Sequence, residues 1–136
     1  MNRDAICARL PHAGRMCLLE RLESWDAQSI LCLATSHRAA DNPLRAHGRL
    51  HAVNGVEYAA QAMALHGSLL AARDTPPAMG YLASVRDLKL AIDDLGGVAD
   101  DLVGSGDGSF GTGFDNGDLF VRDAGFEGDA AGCDDD

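Results

Sequence analysis

Hydrophobic and polar positions change rhythm several times along the chain. Cys17–Trp25 (CLLERLESW) interleaves leucines with charged residues, and Ser29–Ser36 (SILCLATS) is apolar, β-branched at its start and without helix caps. The intervening WDAQS supplies Asp and Ser for a tight connection, so the pair is expected to form a β-hairpin. A long polar loop with a proline follows, SHRAADNPLRAHGRLHAVN, and ordered loops of that length are more often functional than decorative. From Gly55 the pattern turns helical. Val56, Ala60, Met63, Gly67 and Leu70 recur at helical spacing, while Ala59, Ala62 and Ala64 make the opposite side apolar as well. A helix apolar on all sides is a buried helix. Gly67 and the alanines would let a sheet come close to its backbone. The helix is expected to end near Arg73–Asp74, because Thr75-Pro76-Pro77 cannot continue it. Gly80–Asp93 (GYLASVRDLKLAID) then returns to a strand rhythm, with Leu88, Leu90 and Ile92 alternating with Lys89 and Ala91.

From Gly96 this order is lost. Residues 96–136 hold eleven Gly, ten Asp and one Glu against Arg122 alone, and their apolar positions follow neither a period of 2 nor one of 3.6. Such a segment buries too little to offset the entropy of ordering it. The chain therefore divides into a domain at 1–95 and a Gly/Asp-rich acidic tail at 96–136, with no strand pattern legible after LKLAID. GSGDGSFGTGFDNGD has no sustained nonapeptide period for calcium repeats, and no GK[ST] or following helix for a phosphate loop. Two readings of the tail remain: a native disordered extension, or translation in a shifted frame. In the second, GGC and GAC codons for Gly and Asp, read one base later, become Ala and Thr codons.

Length and charge narrow the picture. The 136 residues suffice for one core. The net charge of −10 comes entirely from the tail, since residues 1–95 carry ten acidic and ten basic side chains. Nothing is basic enough to track nucleic acid. No apolar run nears the ~20 residues of a membrane span, and MNRDAICARLPHAG lacks a signal-type apolar stretch. A soluble, cytoplasmic protein is expected, with no membrane or nucleic-acid partner. Cys7, Cys17, Cys32 and Cys133 show no CxxC spacing, which argues against a metal or redox motif. In a reducing compartment Cys17 and Cys32 read as small buried strand residues.

The candidate chemistry begins at Glu57, the sole carboxylate between Asn54 and Arg73. Asn54 is a suitable N-cap and Glu57 falls three residues later, the spacing of a capping box. Burial gives the same residue a second reading. Desolvation raises a carboxyl pKa, and such a group can hold and deliver a proton near neutrality.

LPHAGRMCLLERLESWD (10–26), SHRAADNPLR (36–45), GRLHAVNGVEYAAQAMALHG (48–67) and GYLASVRDLKL (80–90) together resemble the hot-dog-fold 3-hydroxyacyl-acyl-carrier-protein dehydratases. They are most similar to the divergent dehydratase-like subunits of aryl-polyene biosynthesis. The resemblance implies an α+β fold in which a curved antiparallel sheet wraps one long central helix, and protomers that pair. It implies a catalytic carboxylate at Glu57, with Gln61 one turn on and Gly55 and Val56 at the helix start as substrate-binding residues. Gly55 would offer its N–H to the thioester carbonyl. Better-known members place the partner histidine in G-H-F-P, where this chain reads HGRLHAVNG. The candidates are His37, favoured because SHR…NPLR matches the divergent subgroup, then His47, then His51. His12 is expected to shape the start of the first strand, and His66 to pack or hydrogen-bond on the helix. Trp25 and Tyr81 read as core or edge aromatics, and Tyr58 as core or the lining of an acyl channel.

The function implied is dehydration of a 3-hydroxyacyl thioester on acyl carrier protein to the trans-2-enoyl thioester. No cofactor or metal is expected, since the phosphopantetheine arrives with the substrate. The alternative is a non-catalytic subunit that binds the acyl chain or completes a heterodimer with another hot-dog protein. Partners are thus acyl carrier protein and a second hot-dog protomer, identical or not.

Overall fold

A computed structural model describes residues 1–10, 14–71, 80–86, 89–90, 93–97, 102–107, 111–114, 119–121 and 123–128, with 80–90 and everything from 97 onward as backbone only. Expectations about His12, Arg73–Pro77 and Leu88 lie outside these residues, as does the Tyr81 side chain.

A short helix, α1 (Arg3–Cys7), opens the chain, capped by Asn2, whose side chain accepts the Ala5 N–H. The expected hairpin follows as β1 (Arg21–Trp25) and β2 (Ser29–Ala34), antiparallel with a bulge between Leu22 and Ser24. Its turn is organised by Asp26, whose Oδ1 accepts the backbone N–H groups of Gln28 and Ser29 at 2.8 Å each. Those bonds, led by the one from Gln28, hold the Asp26 carboxyl below its ordinary pKa. β2 alternates in burial, with Ile30, Cys32 and Ala34 inward.

The central helix α2 runs Gly55–Leu70. It packs against β2, β5 (Leu102–Asp107) and β6 (Gly111–Phe114). It is not buried on all sides as expected. Tyr58, Ala62 and Leu65 join the core formed with Ile6, Leu18, Leu50 and Leu95, whereas Gly67 is exposed and Leu70 stands 50% exposed. A Cβ at Gly67 would meet open space among the described residues. With apolar residues on every side, periodicity had no contrast from which to choose the inward stripe.

β3 (Gly80–Arg86) and β4 (Lys89–Leu90) supply the strand expected after the prolines. The expectation that no strands follow Leu95 is overturned. β5, β6, β7 (Leu119–Val121) and β8 (Asp123–Gly128) complete an antiparallel six-stranded sheet in the order β1-β2-β5-β6-β7-β4 and a two-stranded β3-β8 pair. Gly104 and Gly106 of β5 stand opposite Cys32 and Ile30, whose side chains face inward. Facing partners in an antiparallel pair lie on one side of the sheet, so these glycines leave room for α2 there. Glycine strands carry no side-chain alternation, and the ladder is made by backbone groups alone. Such strands leave no period-2 signal in the sequence.

The cysteine reading also changes. Cys7 and Cys17 form a disulfide across ten residues, while Cys32 remains a buried thiol whose pKa burial pushes up to about 12. Neither spacing nor composition marks this bridge; the return of the chain past α1 brings the two sulfurs together. Trp25, on the edge strand β1, is 44% exposed and meets His66 edge-on, with ring centroids 6.5 Å apart. The His66 Nε2 lies 2.7 Å from the Asp26 carbonyl and ties the hairpin turn to the far end of α2, as expected of a histidine on this helix.

Candidate active site

The start of α2 is where the sequence placed the chemistry, and its local structure departs from a simple cap. A 3-10 turn at Ala52–Asn54 runs straight into the helix. Asn54 is itself helical (φ −66°, ψ −14°), and its side chain makes no cap bond. A capping residue needs extended backbone angles to turn its side chain back on the helix, so the Asn54 half of the expected capping box does not form. Its N–H donates instead to the His51 carbonyl at 3.0 Å. The Gly55 N–H is likewise taken up, donating to the carbonyls of Ala52 and Val53. It is therefore not presented to a substrate carbonyl in this structure. Gly55 is buried; Val56 and Glu57 beside it are half-buried. Glu57 lies in the first turn, where the helix dipole favours a negative charge.

Gln61, one turn further, is fully buried and its carboxamide is engaged at both ends. Its Oε1 accepts the Leu18 N–H at 2.9 Å and its Nε2 donates to the Met16 carbonyl at 2.7 Å. The same segment is held from the other side by Arg3, whose Nη2 donates to the carbonyls of Gly14 and Cys17. The geometry makes Gln61 a clamp between α2 and the chain before β1, in place of the substrate contact expected of it.

The three histidine candidates separate clearly. His37 sits in a 3-10 turn at Ser36–Arg38 and has no exposed surface. His47 is at the tip of a tight turn with φ +53°, followed by Gly48 at φ +75°, and Ala46 and Arg49 exchange backbone bonds across it. Two positive-φ residues mark a type I′ turn, and this one is exposed, His47 included. His51 is exposed at the start of the turn leading into α2. Of the three, His37 alone is held inside.

What holds its turn is a network that sequence reasoning missed. Ser36 Oγ donates to the Leu18 carbonyl at 2.8 Å and lies 2.8 Å from Tyr58 Oη. A serine has one hydroxyl hydrogen, so with that proton on Leu18 the tyrosine donates to Ser36. Asn42 Nδ2 then donates both its hydrogens, to the Ser36 carbonyl at 2.8 Å and to Tyr58 Oη at 3.0 Å, while its Oδ1 accepts the Leu44 N–H. Every group of this buried amide is satisfied. Burial raises the Tyr58 pKa, against the lowering pull of Ser36, Asn42 and the Arg45 charge. Arg45 closes the loop, with Nε on the Ala39 carbonyl and Nη2 on the His37 carbonyl. The one signal available beforehand was the NPLR string.

Behind the loop, Asp94 Oδ1 accepts the Gly96 N–H at 2.8 Å and the Leu50 N–H at 3.2 Å, and its other oxygen lies 3.8 Å from Arg49. The Gly96 bond leads in depressing its pKa, followed by Leu50, Arg49 and Arg45.

Comparison with known proteins agrees with this architecture. The profile of the ApeP-like family, described as ApeP dehydratase, matches residues 5–98. No curated protein matches the chain. Among solved structures, the dehydratase heterocomplex ApeI:P from Xenorhabdus doucetiae aligns with a TM-score of 0.59 at 18% identity, over 91% of this chain and 88% of that one. That likeness shows the expected α+β hot-dog fold.

Proposed function

Because the chain belongs to the ApeP dehydratase family, we propose that it serves in dehydrating a 3-hydroxyacyl thioester on acyl carrier protein to the trans-2-enoyl thioester. The observation that carries this reading is the arrangement at the head of α2. A half-buried carboxylate, Glu57, occupies its first turn, and the next residue, Tyr58, anchors the turn bearing the buried His37. Dehydration needs one group to take the proton from the carbon beside the thioester and another to give a proton to the leaving hydroxyl. In this scheme His37 takes the α-proton and the resulting enolate is favoured by the positive end of α2. Glu57, favoured in its protonated form as the bound acyl chain desolvates it against the pull of the helix dipole, gives its proton to the C3 hydroxyl, which departs as water while the double bond forms. Gly55 and Val56 flank the thioester at the helix start. No cofactor is invoked, as the phosphopantetheine arm belongs to the substrate.

A second reading is favoured by one observation: a similar solved structure is a dehydratase heterocomplex, ApeI:P. In it, this chain completes a heterodimer with another hot-dog protein and contributes acyl binding more than turnover. One experiment tests both readings. The chain is assayed for enoyl-thioester formation on a 3-hydroxyacyl carrier substrate, alone and co-purified with a hot-dog dehydratase from the same genome. Turnover that depends on Glu57 supports the first reading. Turnover only in the complex, unaffected by changes at Glu57 and His37, supports the second. No turnover in either preparation rejects the dehydration.

A further inference from the structure

Tyr58 and Glu57 are neighbours on α2, about 100° apart around its axis. One is half-buried at the helix head, while the other is turned into the core and bonded to the loop that carries His37. We propose that Tyr58, acting through Ser36 and Asn42, is the positioning residue that sets His37 in fixed register with Glu57. This rests on the reading of those two residues as the proton-transfer pair.

The bonding pattern carries the inference. Tyr58 donates to Ser36, the residue immediately before His37, and accepts from Asn42. Asn42 also binds the Ser36 carbonyl, so two groups of the same residue are fastened to the helix through one phenol. Ser36 passes the restraint on to Leu18, the residue that Gln61 clamps three positions further along α2. Arg45 fixes the carbonyls of His37 and Ala39 on the opposite side. The turn is thus held before, at and after the histidine, and the Tyr58 hydroxyl ties it to α2. A phenylalanine would fill the same core space without that tie. With the single Ser36 hydroxyl hydrogen given to Leu18, the phenol donates to Ser36 and accepts from Asn42, so both of its hydrogen-bonding roles are spent on the loop.

The test uses Tyr58→Phe, with Ser36→Ala as a second variant that removes the same bond if the first does not fold. Activity is measured on the 3-hydroxyacyl carrier substrate, in the complex if a hot-dog partner is required. The expected result is a loss of about 10-fold or more in kcat with KM within about twofold, the pattern of lost orientation without lost binding. In a His37→Ala background the same substitution should cost nothing further. The imidazole NMR resonance of His37, assigned from its absence in His37→Ala, should shift in Tyr58→Phe while that of His66 stays. An unmoved His37 resonance overturns the proposal, as does an equal kcat loss in both backgrounds. Full activity of His37→Ala would reject the histidine assignment itself; the resonance shift would then still support the anchor, and its absence would still overturn it.

Discussion

Gln61 and Leu18, 43 positions apart in sequence, are joined in the core by a 2.9 Å hydrogen bond from the Leu18 backbone to the glutamine side chain. The same carboxamide donates to Met16, so one side chain satisfies two backbone groups of a buried segment. Gln61→Ala leaves both without partners, and each unsatisfied buried group costs about 1–3 kcal/mol. A loss of at least about 2 kcal/mol in unfolding free energy is expected by chemical denaturation. A loss within error would show that water replaces the amide.

At Glu57 the structure removes the capping-box rationale from its partner side, since the Asn54 side chain makes no cap bond. Glu57→Gln is expected to retain the melting temperature within a few degrees while turnover falls by about 100-fold or more, the scale of a lost general acid. His37→Ala should show a comparable loss and His47→Ala almost none, because His47 lies on an exposed turn. Reversal of the two histidine results would move the site to the 46–49 turn.

The Cys7–Cys17 bridge closes a loop across ten residues, for which chain entropy predicts about 3 kcal/mol of stabilisation. Cys7→Ser should lower stability by roughly that amount under non-reducing conditions. Under native conditions iodoacetamide should leave Cys32 unmodified, since its thiol is buried with its pKa pushed up to about 12. In denaturant without reductant it should modify Cys32 and spare Cys7 and Cys17. Modification of Cys7 at that stage would show that the bridge is absent.

Asp94 links the segment before β5 to the loop, and its carboxyl is held below the ordinary value of 3.8 chiefly by the Gly96 N–H. A depressed folded pKa gives stability that is present above the unfolded value and lost as pH falls through the folded one. Unfolding curves of the wild type and Asp94→Asn should therefore differ at pH 6 and converge below the ordinary carboxyl range. A constant gap across that range would mean that the contribution is not ionic.

The family match stops at residue 98, where the glycine- and aspartate-rich composition has just begun. Since residues 102–128 as they stand supply β5–β8, translation of the DNA after the Leu95 codon in the other two frames is expected to give no pair of alternating strand segments that extends the match. If either frame gives such a pair, the acidic sequence is a product of a shifted frame.

Local pattern by itself determined the β1–β2 hairpin, the start of the central helix, the strand after the prolines, and the placing of Glu57 at the helix head. Each rests on signals within a few residues: an Asp-bearing turn, a 3.6 period, a short alternating run. Tertiary structure decided which side of α2 is inward, because an all-apolar helix offers no contrast to read. It decided that Asn54 continues a 3-10 turn instead of capping, that Gln61 clamps the chain before β1, and that Cys7 meets Cys17. It buried His37 and left His47 and His51 on exposed turns, and it gave Tyr58 its partners on the loop. Most of these are pairings between residues ten to 45 positions apart, and β2 meets β5 across a still longer span. Side-chain periodicity cannot register contacts at that range, since they exist only once the sheet has closed around the helix.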